Sequence, residues 1–191
     1  MHGLRELGGG IAGVTSPLIV SAETRAWAQT ANYAMTEAED GTVVFRSETD
    51  SSARYFIRRR GVDRLQLSQS DEDDGERPVL FVAQAEVLER CLLALFADDL
   101  REDLDLPFLP LPWTVDQLAP GFTISDTVRG WRTLIRTGHG SIGAAPDPTL
   151  SLVTLVPLSH LLLWPVAAVK ASFLHETGEP LLHNGGYAPA P

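Results

Sequence analysis

The sequence predicts a single α+β domain in which an antiparallel β-meander packs against helices. Two observations carry that class. Between Tyr33 and Val82, short β-forming runs follow one another with turn residues between them. Directly after, from Ala83 to about Leu100, apolar side chains recur at helical spacing. A chain of 191 residues, 44% hydrophobic and 21% charged, suits one domain with a full core. The domain is expected over residues 21–183, between flexible tails at 1–20 and 184–191 that are rich in Gly or in Gly and Pro.

Ser21 reads as an N-cap with Glu23 in the first turn, opening a short helix that ends near Asn32. Tyr33 to Glu37 is a strand, and Glu39-Asp40-Gly41 is a hairpin turn into Thr42 to Ser47. Asp50-Ser51-Ser52 turns the chain into Ala53 to Arg60. Gly61 to Asp63 turns it again into Arg64 to Ser68, which alternates apolar and polar residues. Asp71 to Glu76 is a loop, because adjacent like charges with Gly75 do not pack, and Pro78 to Val82 closes the meander.

In the helix from Ala83, Val87, Leu88, Cys91, Leu92, Leu95 and Phe96 form the apolar stripe. Glu86, Glu89, Arg90, Asp98 and Asp99 lie mostly opposite. Pro107, Pro110, Pro112 and Pro120 then impose an extended, rigid stretch. A weaker β group follows: Phe122 to Ser125, Trp131 to Arg136, a turn at Gly138-His139-Gly140, and Leu150 to Val153. Leu155 to Leu163 is a helix, Trp164-Pro165 a corner, and Pro165 to Phe173 a helix with Pro165 at N1. Pro180-Leu181-Leu182 is expected as a last short strand.

The net charge of −10 argues against nucleic acid as a general partner, since phosphate binding needs clustered Lys and Arg. Nearly all of the excess negative charge lies between Ser70 and Asp105, whereas Arg54, Arg58, Arg59, Arg60 and Arg64 gather just before it. No run reaches the apolar length of a membrane span. The N-terminal apolar stretch is broken by glycines and Pro17, unlike a signal peptide, and the expected location is cytoplasmic. One cysteine, Cys91, leaves no disulfide framework and reads as a small buried hydrophobe.

The search for chemistry yields no catalytic residue, cofactor site or metal site. The histidines lack metal-ligand spacing, there is no GxSxG elbow, and Gly8 to Gly13 lacks the lysine of a phosphate loop. His160 reads as a capping or buried hydrogen-bonded residue. Two charged features are candidates for partner binding. On the arginine strand Arg54, Phe56, Arg58 and Arg60 share one face, either as an ion-pair ladder to Glu48 or Asp63 or as a partner surface. In the acidic loop, Asp71, Glu72, Asp73 and Asp74 form either a solvated tip or a finger for a basic cleft.

Several segments, taken in order, carry a resemblance. They are Ala31 to Glu37 with Asp40-Gly41, Arg54-Tyr55-Phe56-Ile57-Arg58-Arg59-Arg60, and Val87-Leu88-Glu89-Arg90 through Leu95-Phe96. Leu109-Pro110-Leu111-Pro112, Leu118 to Phe122, Pro157 to Leu162, Val169 to Leu174 and Gly178 to Leu181 continue it. Together they resemble the actinobacterial immunity-protein family that includes the antitoxin of the tuberculosis necrotizing toxin. The resemblance implies a non-enzymatic antitoxin that binds a toxin's catalytic domain 1:1 and covers its active site. In the best-known case that toxin is a secreted NAD(P)+ glycohydrolase. The first 25 or so residues have no counterpart in that pattern, Gln69 to Arg77 is longer and more acidic, and Trp164 to Ala168 lacks expected acids. The shared motifs follow strand and helix periods, so no contact residue transfers. The other expectations are an acidic secretion chaperone, which would bind an unfolded segment of its partner, and a small enzyme using His160, Ser159 or Cys91.

Overall fold

In the computed structural model, residues 20–71 and 75–191 are described. The expected N-terminal tail, Val20 apart, and the loop acids Glu72, Asp73 and Asp74 therefore lie outside the described residues. The described chain forms helix α1 (Ala22–Thr30), then strands β1 (Tyr33–Glu37), β2 (Val43–Ser47), β3 (Arg54–Arg59), β4 (Leu65–Asp71) and β5 (Gly75–Val82). Helix α2 (Ala85–Asp103) and a 3-10 turn (Val115–Gln117) follow. The chain continues through β6 (Phe122–Ile124), β7 (Trp131–Arg136) and β8 (Gly140–Pro146). Helices α3 (Leu150–Leu161) and α4 (Val166–Leu174) precede a hairpin of β9 (Leu182–His183) and β10 (Gly186–Tyr187).

Eight strands make one antiparallel sheet in the order β1-β2-β3-β4-β5-β8-β7-β6. The first five are a meander, as the turn residues require. Gly41 takes φ +78, a left-handed conformation that suits a residue without Cβ. Beside it, Asp40 Oδ1 accepts the Thr42 N–H at 2.9 Å. The second group joins this meander through only two residue pairs, Phe81↔Ala144 and Val82↔Gly143. The approach there is close: a Cβ on Gly143 would stand 3.1 Å from Val82 Cγ1 and 3.2 Å from the Phe81 carbonyl oxygen.

The helices cover one face of the sheet. Phe45, Ile57, Leu67, Leu80, Val82 and Leu134 point into the core, and α2 lies over it. The Phe96 ring of α2 meets Tyr33, Phe45 and Tyr55 at centroid distances of 4.7 to 5.6 Å. Ser21 caps α1, its hydroxyl accepting the Thr24 N–H at 3.2 Å, and its own N–H donates to the Glu89 carboxylate of α2. The Trp27 indole also donates to the Leu93 carbonyl at 3.1 Å. Arg90, expected on the solvent side of α2, is instead buried, with Glu86 at 3.9 Å.

Several segments depart from the sequence expectation, and the first is the expected loop from Asp71 to Glu76, where Asp71 belongs to β4 and Gly75 and Glu76 to β5. Leu150 to Val153 is the first turn of α3 and not a strand, opened by Asp147, whose Oδ1 accepts the Thr149 and Leu150 N–H groups at 2.7 and 2.9 Å. α3 is buried on nearly every side, so its sequence shows no helical stripe and Leu-Ser-Leu-Val imitates strand alternation. The third strand of this group is β8, Gly-Ser-Ile-Gly-Ala-Ala-Pro, whose small residues carry little β propensity but fit the tight junction with β5. Pro165 precedes α4 as its cap and not as its first residue.

The segment after α2 is fastened by Arg101. This side chain is 1% exposed and has no carboxylate bonded to it. Its guanidinium donates to the carbonyls of Pro107 (2.9 and 2.6 Å), Phe173 (2.7 Å), His175 (2.8 Å) and Glu176 (3.0 Å). One cation thereby satisfies the carbonyls at the end of α4 and the start of the proline stretch together. Two residues on, Leu109 is buried against Gly178, where a Cβ would lie 2.7 Å from Leu109 Cδ1 and where φ is +82.

Replacing Arg101 by Met leaves those carbonyls buried without donors and is expected to cost about 3 kcal/mol or more. Gly178→Ala adds both a clash and a left-handed strain, an expected loss of about 2 kcal/mol. Urea unfolding of the two variants against the parent chain measures both.

Candidate functional site

The arginine strand is β3, and its two faces divide as the alternation requires. Tyr55 and Ile57 enter the core, while Arg54, Phe56 and Arg58 lie on the sheet face that carries no helix. Arg58 forms an ion pair with Glu76 of β5 and sits 4.9 Å from the centre of the Phe56 ring. The Arg60 Nε donates to Gln66 Oε1 at 2.6 Å, and Gln66 passes the bond on to Ser68 Oγ at 2.8 Å. Among the described residues, Arg54 reaches the Ser51 carbonyl, at 3.5 Å. The ladder thus runs to Glu76 and Gln66 rather than to Glu48 or Asp63. Asp71 ends β4 opposite Gly75 at the tip of the β4–β5 hairpin. Arg54 pairs in register with Ser70, one residue before it, and Arg58 with Gln66.

A second surface is more deeply shaped. Between α2, α3 and the proline segment runs a groove of about 340 Å³, floored by Cys91, Leu95, Leu158, Leu161 and Phe173. Its lip is the extended run from Pro107 to Trp113. Three anchors fix that run: Arg101 on the Pro107 carbonyl, Leu109 in the core, and the Tyr187 hydroxyl donating to the Pro112 carbonyl at 2.8 Å. Between and beside these anchors, Phe108 is 74% exposed and Trp113 43% exposed. Val153 of α3, 47% exposed, completes the apolar rim.

Few titratable groups enter the groove. Burial pushes the Cys91 thiol up to about 12, so it stays protonated and unreactive at neutral pH. Asp98 is exposed as a whole, yet the groove wall desolvates its carboxyl. That, then neighbouring Asp99, raises its pKa, while Arg101 opposes the shift. Asp99 and Asp103 turn the other way, accepting the Tyr33 hydroxyl at 2.6 Å and the Asn32 side-chain amide at 2.7 Å.

His160 and Ser159, the side chains an enzyme would use, are tied to the scaffold. The Ser159 hydroxyl donates to the Val156 carbonyl at 2.6 Å and accepts the Ala119 N–H at 3.1 Å. The His160 Nε2 donates to the Gln117 carbonyl at 2.8 Å, and its ring stacks on Tyr187 with centroids 3.5 Å apart. Residues 184 to 187 form the turn and second strand of the β9–β10 hairpin, which brings Tyr187 to this place. Among the described residues no group of three or more His, Cys, Asp or Glu gathers to hold a metal, and no helix is long and apolar enough to cross a membrane.

Phe108, Trp113 and Arg101 carry no motif that marks them in the sequence. The available signal was two aromatics among prolines that forbid a helix and so limit how far those rings can withdraw.

Comparison with known proteins adds to this geometry. The family described as Immunity protein 61 matches residues 27–181. The Immunity factor for TNT of Mycobacterium tuberculosis (strain ATCC 25618 / H37Rv) is 30% identical over 152 residues, covering 76% of this chain and 80% of that protein. The Immunity factor for TNT homolog of Mycobacterium bovis (strain BCG / Pasteur 1173P2) matches to the same extent. The solved structure of Rv3902c from M. tuberculosis superposes with a TM-score of 0.75 at 26% identity, over 88% of this chain and 96% of that one.

Two outcomes follow from the buried groups. Cys91 should label with a thiol reagent in the folded protein only at the rate of opening, and at once in denaturant. For His160, burial lowers the folded-state pKa, with the Gln117 carbonyl acting against it. Below about pH 6.5 the unfolded chain takes up the proton first, so stability falls as pH drops through that value. His160→Gln should flatten this dependence, measured as the urea midpoint at pH 7.5 and 5.5.

Proposed function

This chain belongs to the Immunity protein 61 family, and on that premise we propose that it is the antitoxin of a secreted toxin. The family match across residues 27–181 carries the reading. The chain binds the toxin's catalytic domain one to one and covers its active site in the cytoplasm of the producing cell. The toxin is an NAD(P)+ glycohydrolase, as the likeness to the Immunity factor for TNT suggests at 30% identity. It acts as a non-enzymatic inhibitor.

Blocking places simple physical demands on a protein. A rigid scaffold limits the entropy lost on binding, a few anchored aromatics supply most of the affinity, and complementary charge speeds encounter. The scaffold's fastened proline run and the net charge of −10 supply features of each kind.

The test is a titration of the purified chain into the catalytic domain of the toxin encoded beside it, with NAD+ hydrolysis as readout. Activity should fall linearly and reach its floor at an equimolar ratio. Undiminished hydrolysis at that ratio would end the proposal.

A further inference from the structure

We infer that the groove between α2, α3 and the Pro107–Trp113 run is the surface that seats the toxin. Its occupant is an apolar toxin segment bordered by Lys or Arg. The inference rests on the immunity reading above and names the surface and the chemistry of its partner.

The first argument is the state of the two aromatics. An exposed phenyl ring on a loose loop can fold away; Phe108 has no such freedom. The residue before it is bonded through its carbonyl to a buried guanidinium, and the residue after it is plugged into the core. Beyond them, the Pro112 carbonyl is bonded to Tyr187, which fixes the backbone next to Trp113. Two large aromatics are thereby displayed at the rim of an apolar groove, and little conformational freedom remains to be lost on contact. Val153 faces them from α3.

The second argument is charge. Along α2 the groove is lined by Cys91, Leu95 and Asp98, and the exposed Glu102 follows Asp98 by one helical turn. The floor is thus apolar in the middle and acidic toward the end of the helix. Three basic or imidazole groups occur on α2, the proline run and α3, and all three are buried: Arg90, Arg101 and His160. The buried Arg101 acts on Asp98 from behind, but among the described residues no exposed cation on these walls offsets Asp98 and Glu102. A partner with apolar side chains for the floor and a basic residue beyond them meets both halves, and the same acids hasten its approach.

The experiment uses the full chain and the catalytic domain of the toxin encoded beside it. Affinity and inhibition of NAD+ hydrolysis are measured for Phe108→Ala, Trp113→Ala, Glu102→Lys and, on the helix-free sheet face, Arg58→Ala. Each aromatic variant should keep the parent melting temperature and bind at least tenfold more weakly. Glu102→Lys should slow association several-fold at low salt, with the difference shrinking at high salt. Arg58→Ala should stay within twofold of the parent.

Folded groove variants that inhibit as well as the parent overturn the inference and leave the immunity reading standing. The same holds if Arg58→Ala is the variant that fails, which would assign the toxin to the β3 face. A parent chain that elutes as a dimer, split by Phe108→Ala without loss of inhibition, would give the groove to a second copy. A large fall in melting temperature with inhibition intact would give it to the chain's own first residues. A parent chain that does not inhibit at all removes the immunity reading and this inference together.

Discussion

The arrangement of the helical layer turns on one buried cation. Arg101, in the last turn of α2, takes up backbone carbonyls from two other places, the end of α4 and the start of the proline run. A lysine would offer a single point charge there. The planar guanidinium spreads its donors over carbonyls that approach from several sides. Charge and geometry agree as well, because the carbonyl ends of helices carry partial negative charge. Without this contact, the proline run would keep its rigidity but lose its direction.

Much of the sheet was legible in the sequence for a local reason. The turns of the first meander are built from residues whose conformation is dictated close by, such as Asp40-Gly41 and Asp50-Ser51-Ser52, and the strands between them alternate. The second half was less legible because long-range packing decides it. Gly140 to Pro146 becomes a strand because small residues fit against Val82 and Phe81, a fact about neighbours far away in sequence. Leu150 to Val153 turns helical because Asp147 caps it, and the continuous burial of α3 from Leu155 to Leu161 erases the stripe that periodicity detects.

The same contrast holds for the candidate surfaces. Charge runs are visible in a sequence, so Arg54, Arg58, Arg60 and Asp71 attracted notice first. What a sequence does not display is satisfaction: Arg58 is matched by Glu76 and stacked on Phe56, and Arg60 is bonded to Gln66. Conversely, Phe108 and Trp113 look like ordinary apolar residues until their neighbours are seen to be tied down from both sides. The acids of α2 divide in a similar way. Asp99 and Asp103 are occupied with Tyr33 and Asn32, while Asp98 lines the groove and Glu102 follows it by one turn.

The narrow junction between β5 and β8 has a mechanical meaning. Two residue pairs give the sheet a waist, with five strands on one side and three on the other. Backbone ladders resist shear roughly in proportion to their length, so bending stiffness is lowest along this line. What sets the angle between the blocks is therefore the wedge of α2 against α3 above them, packed on β4–β5 and on β7–β8 respectively. A pull applied to α3 would be transmitted to the far strands as a hinge torque about the waist rather than as a local dent.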